Sequence, residues 1–160
     1  MYVPDAFRVD DPAVLHAAIR ENAFGLLVTV DDGEPFASHV PFLLDEATGP
    51  RGMLLFHLAR ANPQAAALAR GCPALAVFQG PHGYISPAWY EDRAASVPTW
   101  NFIAVHARGT AAAMDDERAV DALLRRLSAR YEAGMPEPWT PGEMAPQRLA
   151  GMRTAIVAFS

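Results

Sequence analysis

The strand-like stretches of this chain lie too close together to form a parallel sheet. FGLLVTV (24–30) and PFASHVPFLL (35–44) are separated only by DDGE, a turn sequence, so the two runs read as a hairpin. GPRG (49–52) turns the chain again into MLLFHLA (53–59), and further apolar runs follow as PALAVFQG (73–80), TWNFIAVHARGTAAA (99–113) and TAIVAF (154–159). Parallel neighbours need a crossover of about a dozen residues or more, usually a helix. Most of the connections here are shorter. Five or six strands so spaced predict a mainly β, α+β fold: an antiparallel barrel with a few peripheral helices. Gly109 is the expected bulge or bend in the long run 99–113.

Helices are predicted between and around the strands. In 11–22, Asp10 or Asp11 is the cap, Pro12 suits the first turn, and Val14, Leu15, Ala18 and Ile19 make one apolar stripe. Asn62 and Pro63 open a short helix over 62–69. The strongest helical pattern is 114–132. Asp115 is its expected cap, acids fill its first turn and arginines its last, and Val120, Leu123, Leu124, Leu127 and Tyr131 share a face. TPGE (140–143) is a capping box with proline at the first helical position.

A chain of 160 residues reads as one domain, 1–160. It can bury roughly 70% of its unfolded surface, so it needs neither disulfide nor metal to fold. Cys72 is the only cysteine, no apolar run reaches membrane-spanning length, and MYVPDAFRVDD has no secretory pattern, which predicts a cytoplasmic protein. The net charge is −5 and the basic residues are scattered, without the basic face of a nucleic-acid binder. All 13 basic residues are arginine. A lysine Schiff base and a P-loop are thereby excluded.

Four histidines, His39, His57, His82 and His106, sit in or beside strands, without the spacing of a metal site. His39, His57 and His106 alternate with apolar neighbours, so a shared cavity is one expectation and separate packing roles the other. Ser86 and Cys72 each precede proline, and neither lies in a nucleophile elbow. FHLARANPQ (56–64) runs a strand into a capped helix start through Arg60 and Asn62. An arginine beside free helix N–H groups makes a phosphate pocket; the plainer alternative is a cap and a surface charge. FQGPHGYISPAWY (78–90) and VPTWN (97–101) concentrate Tyr84, Trp89, Tyr90 and Trp100 with Gln79, Thr99 and Asn101. Such a loop suits a planar heteroaromatic ligand or a partner subunit, or it packs back on the barrel.

Taken in order, MYVPDAFRVDD, GEPFASHVPFLLD, HLARANPQ, VFQGPHGYISPAWY and VPTWNFIAVHARG resemble the PaiB-like family of FMN-binding negative transcriptional regulators, from Met1 to about Phe159. The resemblance implies a split β-barrel of the pyridoxamine-phosphate-oxidase and flavin-reductase type, and a homodimer with FMN at the subunit interface. It places the FMN phosphate at His57, Leu58, Ala59, Arg60 and Asn62, and the isoalloxazine edge along Ser38, His39, Val40 and Pro41. Gln79 would offer an amide. Thr99, Trp100 and Asn101 would come from the other subunit, and the loop 79–101 would wall the site. The family pattern also leads one to expect a further C-terminal segment after IVAF. Direct DNA binding is not expected from the charge, and no helix-turn-helix is evident. Two alternatives remain: a small NAD(P)H:FMN-type oxidoreductase, for which no residue stands out as acid or base, and a haem-binding or haem-degrading protein.

Overall fold

The computed structural model describes residues 1–160. Its strands are β1 (Phe24–Asp31), β2 (Glu34–Pro41), β3 (Leu43–Asp45), β4 (Met53–Ala59), β5 (Pro73–Ile85), β6 (Thr99–Thr110) and β7 (Ile156–Phe159). The helices are α1 (Pro12–Glu21), α2 (Pro63–Ala69), α3 (Glu117–Glu132) and α4 (Pro146–Thr154). Every strand pair is antiparallel. One sheet has the order β2-β1-β5-β6, the other β3-β4-β7.

Two corners join the sheets into a barrel. At the first, Phe42 interrupts the predicted run 35–44. Its N–H donates to Ala23 O at 2.8 Å, its ring is 1% exposed, and the chain passes from β2 into β3 there. At the second, Ala113 bridges Phe159, with Ala112 and Ser160 exchanging hydrogen bonds of 2.9 and 3.0 Å. Phe42, Phe56, Phe78 and Phe159 interlock in the core, with ring centroids 5.1 to 5.3 Å apart. α1 packs on β3, β5 and β6 and covers one end of the barrel, while α2 packs on β1, β2 and β4 at the other. A smaller cluster, Leu43, Leu55, Leu123, Leu127 and Ala158, fixes α3 to the outside of the second sheet.

Several boundaries differ from expectation. Asp116, not Asp115, caps α3, accepting from Arg118 N–H at 2.9 Å. Asp11 is the cap of α1. The TPGE segment forms only a turn of 3-10 helix, in which Thr140 N–H donates to Glu143 at 2.7 Å; the true helix, α4, starts after it at Pro146 and takes in Thr154. Gly109 is not a bulge. It pairs in register with Ala74, and the register shift lies on β5 between Gln79 and His82. That bulge lets β5 continue through Gly80 and Pro81 to Ile85, so both ends of the expected loop 79–101 belong to a β-ribbon. The irregular part of that loop spans residues 86–98.

Candidate functional site

β1 carries apolar residues on both faces. Gly25, Leu27 and Thr29 are buried against the core, while Phe24, Leu26, Val28 and Val30 point outward. The outward face continues across the sheet. His39, Leu26, Val77 and His106 form one cross-strand row, and Ala37, Val28, Leu75 and Arg108 the next. No helix of this chain covers it: α1 and α2 sit at the barrel ends and α3 on the other sheet. Phe24 is 66% exposed and stacks on His39 at 5.9 Å.

Beyond β1's last partner on β5, Val77, the β5–β6 ribbon extends alone. Here Trp100 packs 5.6 Å from His82 and 6.1 Å from Tyr84, yet stays 58% exposed, and Phe102 is 60% exposed. A planar aromatic surface of this extent with water as its only neighbour is unusual for a single chain.

The predicted site residues fall into two groups. At the α2 end, Asn62 Nδ2 donates to Ser38 Oγ at 3.0 Å, and Asn62 Oδ1 caps the helix by accepting from Gln64 N–H at 2.9 Å. Ser38, Arg60 and Asn62 are thus gathered where β2, β4 and α2 meet. Arg60 is exposed, but its Nε and Nη2 donate to Thr154 O and Ile156 O, both at 2.8 Å. Val40 and Leu58 turn their side chains into the core, so only their backbone is open to a ligand. His39 and Pro41 sit on the outward face with Ala59 exposed at the end of β4. The second group, Gln79, Thr99, Trp100 and Asn101, lies on the β5–β6 side, with Thr99, Trp100 and Asn101 on the projecting ribbon. β2 and β6 are opposite edges of the sheet, so one chain does not bring the two groups together. Gln79 instead meets Phe24, Arg130 and Tyr131 around a pocket of about 280 Å³.

The three histidines do not share a cavity. His39 and His106 lie on the outward face of the first sheet. His57 alternates with the core residues Phe56 and Leu58 and pairs with Ala158, which puts it on the α3 side of the second sheet. Burial holds the His57 imidazole below its usual pKa. His106 is lowered too, by burial first, then by the N-terminal ammonium and Arg108. Each has a buried Nδ1 without a partner in the chain.

Sequence reasoning missed Gln64, now seen as the 1% exposed amide beneath the α2 group. Its Nε2 donates to Leu27 O and Thr29 Oγ1 at 3.1 Å and to Phe36 O at 3.3 Å, tying α2 to β1 and β2. The only signal was a polar residue among alanines on a capped helix.

Two antiparallel sheets closed at two corners, with helices at the open ends and an uncovered apolar face, are a split-barrel architecture. The structure resembles the FAD and heme binding protein from Mycobacterium smegmatis, with a TM-score of 0.64 at 20% identity over 92% of this chain and 63% of that one. It also resembles the flavocytochrome Anf3 from Azotobacter vinelandii, with a TM-score of 0.67 at 20% identity over 99% of this chain and 67% of that one. By sequence, residues 1–160 match the family described as "Putative FMN-binding domain". A relative from Bacillus subtilis, "Protease synthase and sporulation protein PAI 2", is 33% identical over 159 residues, which are 99% of this chain and 75% of that protein. The chain belongs to this FMN-binding family, as its resemblance to the PaiB-like proteins implied. No helix is long and apolar enough to cross a membrane.

Proposed function

We propose that this chain works as a cytoplasmic homodimer that holds FMN at the seam between two subunits, and that its flavin state serves negative transcriptional regulation. The observation that carries the dimer is the uncovered sheet face. A folded monomer of 17.3 kDa exposes roughly 7,800 Å² by the usual scaling. This chain exposes 10746 Å², with only 21 of 160 residues buried. Hiding an excess of about 2,900 Å² on each of two copies would bury about 5,800 Å² in total, at the upper end of obligate dimer interfaces.

A second copy docked on that face offers its own β5–β6 ribbon to the α2 group of the first. Thr99, Trp100 and Asn101 of one subunit then complete the site begun by Ser38, His39, Arg60 and Asn62 of the other. The outward face fits a flavin ring system. It is apolar and flat, and His39 and His106 border it. At the other end, Arg60 spends two of its donor nitrogens on carbonyls and keeps Nη1 for a phosphate oxygen, beside the capped start of α2. When bound, FMN supplies electron-transfer chemistry, and the protein contributes position and shielding.

The regulatory half of the reading rests on the resemblance of the sequence to the PaiB-like family of negative transcriptional regulators. With a net charge of −5, regulation runs through a partner or metabolite rather than through a basic DNA-binding face. The test is an FMN titration by fluorescence quenching, with wild type beside Trp100→Ala and Arg60→Ala. Weaker binding in both variants is expected. Unchanged affinity in Trp100→Ala would remove the ribbon from the site. FMN-dependent NAD(P)H oxidation would favour an oxidoreductase instead, and a salt-sensitive shift of promoter DNA by the pure protein would restore direct repression.

A further inference from the structure

The barrel is not filled at its α1 end. A cavity of about 630 Å³ lies there between α1, β4 and the inner face of β5 and β6. Its origin is visible in the sequence, because the inward positions of β5 and β6 carry almost no side chain. Ala74 pairs with Gly109 and Ala76 with Ala107, and Ala111 comes next. A Cβ added at Gly109 would find no atom within 4 Å. The opposite wall is Ile19, Phe42 and Phe56, each already fixed in the core and unable to reach across. Protein interiors are close-packed and seldom leave a void much larger than a water molecule. This one has the volume of a ligand pocket and a mostly apolar lining.

The mouth is polar and mainly cationic. Arg51, on the β3–β4 connection, and Arg108, on β6, border it, with Asp10 as the one acid. Neither arginine takes part in any of the chain's ion pairs. His16, also at the rim, is already engaged: its Nε2 bonds Arg51 O at 2.9 Å and its Nδ1 lies 3.4 Å from Glu46. The floor of the cavity faces into the barrel, while Arg108 belongs to the outward row of the first sheet and lines the mouth from the edge strand β6.

We propose that this cavity is a second binding site, for an amphiphile with an apolar chain and one anionic head group, a medium-chain carboxylate being the simplest example. The chain would lie against Phe42, Phe56 and the alanine floor, and the head would meet Arg51 and Arg108 at the mouth.

The test is calorimetric titration of the full chain with decanoate, below its micelle concentration, and with decanol as the neutral control. Wild type should take up one decanoate per chain. Gly109→Leu fills the void from a position with ordinary backbone angles, and should weaken decanoate at least tenfold while leaving the FMN titration unchanged. Ala107→Val serves the same purpose if that variant folds poorly. The double variant Arg51→Gln, Arg108→Gln should weaken decanoate about tenfold and leave decanol as it was. No uptake by folded wild type, or equal uptake by a folded cavity-filling variant, overturns the site. Equal decanoate affinity in the double arginine variant overturns the assignment of the head group.

Discussion

Val28 offers the sharpest test of how this chain assembles. It lies on the outward face of β1, between Ala37 on β2 and Leu75 on β5. In a lone chain, Val28→Asp places a carboxylate on a water-facing surface and costs about 1 kcal/mol of strand preference. In a dimer that buries this face, each subunit contributes one unpaired buried charge, and each such charge costs about 3–5 kcal/mol. Even if water relieves half of that, the pair still loses about 4 kcal/mol, roughly a thousandfold in Kd. Size-exclusion chromatography with light scattering reads the result directly. Wild type at micromolar concentration should run at twice 17.3 kDa, Val28→Asp should run as a folded monomer, and FMN affinity should fall with the dimer. Ala66→Asp, on the exposed side of α2, is the control and should remain dimeric. A Val28→Asp protein that dimerises like wild type would refute the reasoning, as would a monomeric wild type.

Two further outcomes follow from buried polar groups. Gln64→Leu keeps the shape of the side chain but leaves Thr29 Oγ1 and two carbonyls without their donor. Loss of the unpartnered Oε1 offsets part of this, so the net cost is about 1–2 kcal/mol, or roughly 3–6 °C in a thermal melt for a chain of this length. For His57, burial lowers the native pKa below the ordinary value of 6.5. Above that pH neither state carries the proton. Below it the unfolded chain takes up a proton that the native chain resists, so stability falls as pH drops through 6.5 toward the native pKa. Denaturant melts from neutral to mildly acidic pH should show a shallower decline in His57→Phe than in wild type, and identical slopes would place the acid sensitivity elsewhere.

Much of the architecture was legible because its determinants are local. Connection lengths dictated antiparallel pairing, and Asn62 with Pro63 marked α2 to within a residue. What escaped was set by distant partners. Gln79, Gly80 and Pro81 read as the end of a strand, but pairing with β6 carries β5 across a bulge to Ile85. Arg60 read either as a phosphate ligand or as a surface charge, and neither reading contains the bonds from two of its nitrogens to carbonyls at 154 and 156, some ninety positions away. Which way His57 faces depends on α3 packing outside the second sheet, and no pattern within MLLFHLA contains that fact. The division of the candidate site into two groups follows from sheet order, and no local pattern contains it; only the family resemblance, which assigned Thr99, Trp100 and Asn101 to the other subunit, pointed to it.

The four residues of β7 supply both the third strand of the second sheet and the bridge that shuts the barrel. Their partners on β4 lie about a hundred positions earlier in the chain. Closing so long a loop comes before the contacts that reward it, so the final seam is entropically late and the chain should fold slowly for its size. Until β7 arrives, the edges of β4 and of the segment after β6 stand open to other chains. Expression yield should therefore depend on substitutions in residues 156–159 far more than the small share of the core they bury would suggest.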